Sequence, residues 1–452
     1  MAAAVTSISG RLEQRLAGRE LRSRVPRSAQ GAWRPGADRE DPLDLLEQSN
    51  RTRLEDLVPV RNGRMLHSPF TFYRGAPLVM ASDLSRMPST GIKVQVCGDA
   101  HLLNFGTFAT PERNLVFDLN DFDETHAGPW EWDLKRLAAS LLVAARSAGL
   151  TDADGVEAVH RCSTEYRARM SALAELTSFE VWQSRVDADA VVAAAPTKQS
   201  RAVVIKTVDK ARQHTNLQAL SKLTTIRDDK RVILEDPPLV VRVNEQEVEQ
   251  AFRFARAYRS TLDPDRRLLL DRYHVVDAAR KVVGVGSVGT RCYVVLLAGV
   301  DDLDPLFLQI KEAQASVLES YTGRSPFRNQ GYRVVVGQRI MQAASDVFLG
   351  WARADGFDTY VRQLRDMKGS AEIETLDGGG LAGYGRLCGA TLARAHARAG
   401  QPALLAAYLG NGPVFDDALA QFAVAYADQT ERDYEAFVRA VRTGRFPAID
   451  GR

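Results

Sequence analysis

Residues 94–137, VQVCGDAHLLNFGTFATPERNLVFDLNDFDETHAGPWEWDLKRL, gather acidic side chains at the ends of two short apolar segments. The run from Lys93 to Cys97 reads as a strand, and Gly98 permits a tight turn that projects Asp99, His101 and Asn104 from one loop. A second alternating run, Leu115 to Leu119, delivers Asn120, Asp121, Phe122, Asp123 and Glu124 at its carboxyl end. Carboxylates brought together without nearby Lys or Arg repel, so a cation belongs between them. Oxygen donors with an Asn favour a hard ion such as Mg2+ over zinc.

Two intervals resemble the protein-kinase-like superfamily, the aminoglycoside phosphotransferases and related small-molecule kinases in particular. Gly98-Asp99-Ala100-His101-Leu102-Leu103-Asn104 is similar to the GDxHxxN loop of those enzymes, and Asp121-Phe122-Asp123 is followed twelve residues on by Asp133 in Trp132-Asp133-Leu134, as their D-F-x-D strand end is followed by a buried Asp at a helix start. The resemblance implies that Asp99 is the catalytic acid or base, that Asn104 and Asp121 hold Mg2+ with Asp123 as a second metal candidate, and that Asp133 caps the loop. Cys97 stands where the pattern has a His two residues before the catalytic Asp. The wording SPFTFYRGA, CGDAHLLNFG and WEWDLKRLAAS also resembles a bacterial family of unknown function from about Asp41 onward, which implies a shared fold and no substrate.

A chain of 452 residues exceeds a usual single core and predicts two or three packed units. Hydrophobic content of 45% with 26% charged residues is that of a globular protein, and a net charge of +2 makes no case for nucleic acid or a membrane surface as partner. The four cysteines are scattered without a C-x-x-C pair, which points to a reducing, cytoplasmic compartment and away from zinc. No apolar run approaches the roughly 20 residues of a membrane span. Residues 1–40, with Glu13 and Glu20 and no apolar core of signal-peptide length, read as a mobile arm.

Leucines at 43, 45, 46, 54 and 57 have helical spacing. In SPFTFYRGA, Phe70, Phe72 and Tyr73 form either an aromatic plug on the core or a frame in which Arg74, with Arg64, offers a guanidinium to a phosphate or acidic group. Residues 129–148 read as an amphipathic helix with Pro129 at its first turn and Gly149 at its end. Residues 151–230 read as mostly helical and polar, with Lys206, Lys210, Arg212, Lys222 and Lys230 on basic faces.

From Tyr273 the periodicity changes to strands. Gly284, Gly286 and Gly289, with Ser287 among them, form G-x-G-x-x-G between two strands, which disfavours a dinucleotide fold because no helix follows. The kinase resemblance implies a glycine loop over ATP phosphates, Lys311 of LFLQIKEA on the next strand as the phosphate-gripping lysine, and Glu319 as its acidic partner. The order is inverted, since Asp99 precedes the glycine loop by nearly two hundred residues. Either the chain is a circular permutant or the glycine match is accidental. The later helix YGRLCGATLARAHARAG, similar to the one that precedes the catalytic loop in aminoglycoside kinases, favours permutation, with VVVGQRIMQAASDVFLG as the remaining strand and hinge. Residues 415–441 read as a long amphipathic core helix.

The sequence therefore predicts an α+β, two-lobed, circularly permuted kinase-like fold, with an antiparallel sheet lobe and a mainly helical lobe. Its parts are the arm 1–40, a helical part 41–272 carrying the acidic loop, a sheet part 273–350, and a helical remainder 351–452. The expected activity is ATP- and Mg2+-dependent phosphoryl transfer to a small molecule. The alternatives are a metal-dependent hydrolase using His101, His126 and the aspartates, or a nucleotide-binding pseudokinase or nucleotidyltransferase.

Overall fold

Every residue from Trp130 to Ala145 is buried in the helix Trp130–Ser147, so this segment is wrapped by protein on all sides rather than on one stripe. Leu134, Leu137 and Leu141 have no exposed surface, and each such burial contributes roughly 1.5–3 kcal/mol. The computed structural model describes residues 10–193, 205, 208–209, 216–227, 230–282, 284–301, 303–354, 356–364, 369 and 371–449. Lys206, Lys210 and Arg212 lie outside them.

Around this central helix pack Asp152–Leu173, Gly378–Ala399 and Val414–Arg442. The first two approach so closely that a Cβ on Gly389 would collide with the Cys162 carbonyl, which explains a glycine inside a helix. Phe422, Tyr426 and Phe437 of the Val414–Arg442 helix are buried, so its apolar face belongs to the core. Among the described residues no helix is long and apolar enough to cross a membrane.

Four short strands carry the acidic region: β1 (Lys93–Val96), β2 (Phe105–Ala109), β3 (Leu115–Leu119) and β4 (His126–Pro129). They pair as two antiparallel ribbons, β1 with β4 and β2 with β3. The hairpin β5 (Thr224–Arg227) and β6 (Lys230–Ile233) stands where the sequence predicted helix. The main sheet has six antiparallel strands: β7 (Val240–Arg242), β8 (His274–Lys281), β9 (Cys292–Ala298), β10 (Pro305–Glu312), β11 (Gly350–Ala354) and β12 (Phe357–Gln363). Their spatial order is β11-β12-β10-β9-β8-β7, with the glycine turn joining β8 to β9.

Three expectations change. The sheet starts before residue 273 and ends after 350, because β7, β11 and β12 belong to it. The segment VVVGQRIM lies in the helix Gln330–Met341, not in a strand: Asn329 caps that helix by accepting from Tyr332 N–H at 2.8 Å. Val334, Val335 and Met341 are then buried at helical spacing, so cap and packing override the β preference of the valines. The expected mobile arm contains the helix Arg11–Arg24, which packs on Pro402–Leu409. Arg22 and Arg27 donate to the Tyr408 and Leu409 carbonyls at that helix's C-terminal end, where a cation offsets the helix dipole.

Candidate active site

The acidic loop is held from beneath by its own downstream helix. Gly98 has φ 82°, and a Cβ there would collide with the Glu124 carbonyl, so the turn requires glycine. The two carboxylate oxygens of Asp133, in the first turn of Trp130–Ser147, accept from Cys97 N–H at 2.6 Å and Gly98 N–H at 2.9 Å. Behind Asp133 stands His396 of the Gly378–Ala399 helix, with Nε2 3.2 Å away, and Tyr166 OH lies 2.8 Å from His396 Nδ1. The expected cap role of Asp133 is seen in these contacts, and His396 of the YGRLCGATLARAHARAG stretch brings that helix against the support of the loop.

One turn further along the same helix, Arg136 Nε meets Asp99 Oδ1 at 2.5 Å. Arg136 is buried, lies over the Tyr73 ring at 4.4 Å and donates to the Tyr73 carbonyl. Burial opposes its charge, but Asp99 outweighs that and raises its pKa above the ordinary arginine value. His101 Nε2 is 3.9 Å from Asp99 Oδ2. Burial pushes the His101 pKa down to about 4, so the ring is neutral at pH 7.

Asn104 staples the loop to the end of β3. Its amide donates to the Asp99 and Asp121 carbonyls at 3.0 and 2.9 Å, and its oxygen accepts from Asp121 N–H at 2.6 Å and Asn120 N–H at 3.2 Å. With both lone pairs of that oxygen in use, Asp121 and Asp123 are the oxygen ligands best presented to a cation here.

Across the cleft, Lys311 of β10 is buried and ion-paired with Asp123, and its Nζ is 3.5 Å from Asp121 Oδ2. Burial alone depresses an ammonium, yet the two carboxylates hold the Lys311 pKa well above its usual value. Tyr360 OH of β12 donates to the other Asp123 oxygen at 2.7 Å. Arg362, two residues on, donates to the Asn120 carbonyl at 2.9 Å. Glu124 faces the same space, with burial raising its pKa to about 7.

A cavity of about 300 Å³ has Asp99, His101, Asn104, Asp121 and Asp123 in one wall and Gly284, Gly286 and Ser287 in the other, with Glu124 and Arg362 also facing it. A Cβ on Gly286 would lie 4.0 Å from Asp99 Oδ2, so the glycine turn and the acidic loop face each other directly. Gly289 is turned elsewhere: its φ is 92°, its carbonyl accepts from Leu54 N–H at 2.7 Å, and it packs on Arg53 as an anchor of the turn. Glu319 is not the partner of Lys311. It sits on the short helix Glu319–Thr322 in the field of His126 and Arg333, because residues 313–318 carry the chain away from β10. The helix Gln330–Met341 instead offers Arg333, which donates to the Asp123 and Gln314 carbonyls at 2.8 Å each.

Arg136, Arg333, Tyr360 and Arg362 escaped the sequence reading. Only Arg136 had a legible signal, since its spacing from Asp133 puts both on one helix face. The second histidine considered for a metal, His126, bonds the Gly323 carbonyl through Nε2 at 2.9 Å and does not line the cavity. Among the described residues no group of three or more His, Cys, Asp and Glu side chains forms a metal cage.

The site is thus a polar cleft lined by an acidic loop and a glycine turn, with a lysine buried behind two of its aspartates. The chain belongs to the family described as uncharacterized protein conserved in bacteria (DUF2252), whose model matches residues 53–440. No curated protein and no solved structure matches it.

Proposed function

We propose that this chain is an ATP- and Mg2+-dependent phosphotransferase of circularly permuted, protein-kinase-like architecture, acting on the hydroxyl of a small molecule. The observation that carries the reading is that Asp121 and Asp123, both paired with the buried Lys311, share one cavity with the Gly284–Ser287 turn. The order of elements supports it: strand, glycine turn, strand, lysine strand, helix and hairpin follow one another from β8 to β12, as in the nucleotide lobe of kinases. The cavity volume is at the lower end of ligand pockets.

The donor set fits Mg2+ arriving with a nucleotide, since that ion is usually held by one or two carboxylates plus substrate phosphates rather than by a protein cage. Asp121 and Asp123 would hold it, and the bound ion would neutralise charge on the phosphates. Lys311, now paired with these carboxylates, would grip the phosphates on leaving Asp123, and the backbone of the glycine turn would cover them. Asp99 faces the acceptor. Transfer forms a bond from the acceptor oxygen to the γ-phosphorus as the bond to the ADP oxygen breaks, and the hydroxyl proton passes to Asp99. Asp99, held in place by its ion pair with Arg136, orients that hydroxyl, and proton acceptance comes late.

The test is a thermal melt of the full chain with ATP and Mg2+, which raises Tm by linkage if the native state binds the pair. A flat response through millimolar ATP and Mg2+, with stabilisation by zinc instead, contradicts the proposal and supports the hydrolase. Binding without loss of the γ-phosphate to any hydroxyl acceptor supports a pseudokinase.

A further inference from the structure

Arg74, which the sequence offers to a phosphate or an acidic group, ends the helix Pro69–Gly75 and lines the same cavity, and the phosphoryl transfer described above does not use it. Its Nε is buried and has no hydrogen-bond partner among the described residues. The other cations at or behind the cavity wall are committed: Lys311, buried behind it, to Asp123 and Asp121, and Arg362 to the Asn120 carbonyl and, through Nε, to Gln309 Oε1. Of the carboxylates whose field reaches Arg74, Asp99 acts most strongly and already has its guanidinium in Arg136, and Asp121 faces Lys311. Desolvating an arginine without an ion pair of its own is unfavourable, so retaining one at a cavity wall implies an anion supplied from outside.

Position narrows what that anion is. Arg74 Nη2 would lie 3.8 Å from a Cβ on Gly284, and the Arg74 carbonyl 3.5 Å from one on Gly286, while Gly286 itself faces Asp99. The guanidinium thus sits where the glycine turn meets the acceptor-orienting aspartate. A phosphoryl group passing from a nucleotide under the turn to an acceptor at Asp99 crosses that meeting point.

Resting on the phosphotransferase reading, we propose that Arg74 is a further catalytic residue: its planar fork binds the equatorial oxygens of the phosphoryl group in transit, an arginine supplied within the chain. The bond made and the bond broken are those given above, and Arg74 changes neither its proton nor its covalent state.

The test uses ADP with Mg2+, with and without tetrafluoroaluminate as the mimic of the transferring group, titrated calorimetrically into the full chain. Wild type binds ADP and Mg2+ about tenfold or more tighter when fluoroaluminate is present. Arg74→Ala keeps the ADP affinity within about twofold and loses that increment, whereas Arg74→Lys, which keeps the charge and loses the fork, retains part of it. Survival of the full increment in Arg74→Ala overturns the assignment, as does an equal loss of affinity with and without fluoroaluminate, which makes Arg74 a ground-state nucleotide contact. If Arg74→Ala does not fold, Arg74→Lys decides by the same comparison. Failure of wild type to bind ADP and Mg2+ at all overturns the phosphotransferase reading, and this assignment with it.

Discussion

Arg136 and Asp99 form an ion pair in which Nε and Oδ1 are 2.5 Å apart, and the arginine side chain is almost wholly buried while the aspartate opens onto the cavity. The pair joins the central helix to the acidic loop, so the group proposed to face an acceptor is also a structural tie. Asp99→Asn is expected to lower stability by about 3–5 kcal/mol, because it leaves a buried guanidinium uncompensated. Chemical denaturation of Asp99→Asn, Arg136→Met and the double variant checks this. The double variant should recover most of the loss, and additive losses would show that the two side chains are not coupled.

The two oxygens of Asp133 each serve a different backbone N–H of the loop, so an asparagine keeps only one acceptor. Asp133→Asn should cost about 1–3 kcal/mol for the orphaned donor. Amide exchange should quicken at Cys97 and Gly98 before it does at the strands of the main sheet. Protection unchanged at both residues would remove Asp133 from the support of the loop.

Lys135 gives a pH signature away from the cavity. Its side chain is buried, its Nζ lies 5.2 Å from the centre of the Phe422 ring, and burial pulls its pKa down to about 8 against a partial counter-effect from Glu131. The unfolded chain holds this proton up to about pH 10.5, so between about pH 8 and 10.5 it binds more protons than the folded one, and the Lys135 contribution to stability rises with pH. Below about pH 8 the full penalty is present, roughly 3 kcal/mol by the size of the shift. Lys135→Met should therefore stabilise the protein at pH 7 and lose its advantage progressively above pH 8. A gain independent of pH would show that the ammonium is not strained by burial.

Local signals in the sequence carried most of the site and less of the fold. Gly98, Asp99, Asp121, Asp123 and Asp133 were legible because turn chemistry and fixed spacings are local properties of the chain. The pairing of β8, β9 and β10 was legible from alternation, and the structure places the glycine turn at the cavity holding Asp99 and Asp121, with Lys311 buried against Asp121 and Asp123. The partner of Lys311 was not: Asp123 lies 188 residues away, and a long-range ion pair leaves no trace in either local segment. The helix Gln330–Met341 was hidden by its three consecutive valines, whose β preference is weaker than a cap and a buried face. The N-terminal helix was hidden because its mean character is polar and only its docking partner, some 380 residues later, makes it stable.

The central claim is that the cavity between the Gly284–Ser287 turn and the Asp99–Asp123 region holds the phosphates of a nucleotide. The most direct measurement is a crystal structure of the full chain with a non-hydrolysable ATP analogue and Mg2+. The account predicts a triphosphate under the glycine turn, the ion on Asp121 and Asp123, and Lys311 turned from Asp123 onto a phosphate. A nucleotide bound on any other face, or an empty cavity with the Lys311–Asp123 pair intact at saturating analogue, would contradict it.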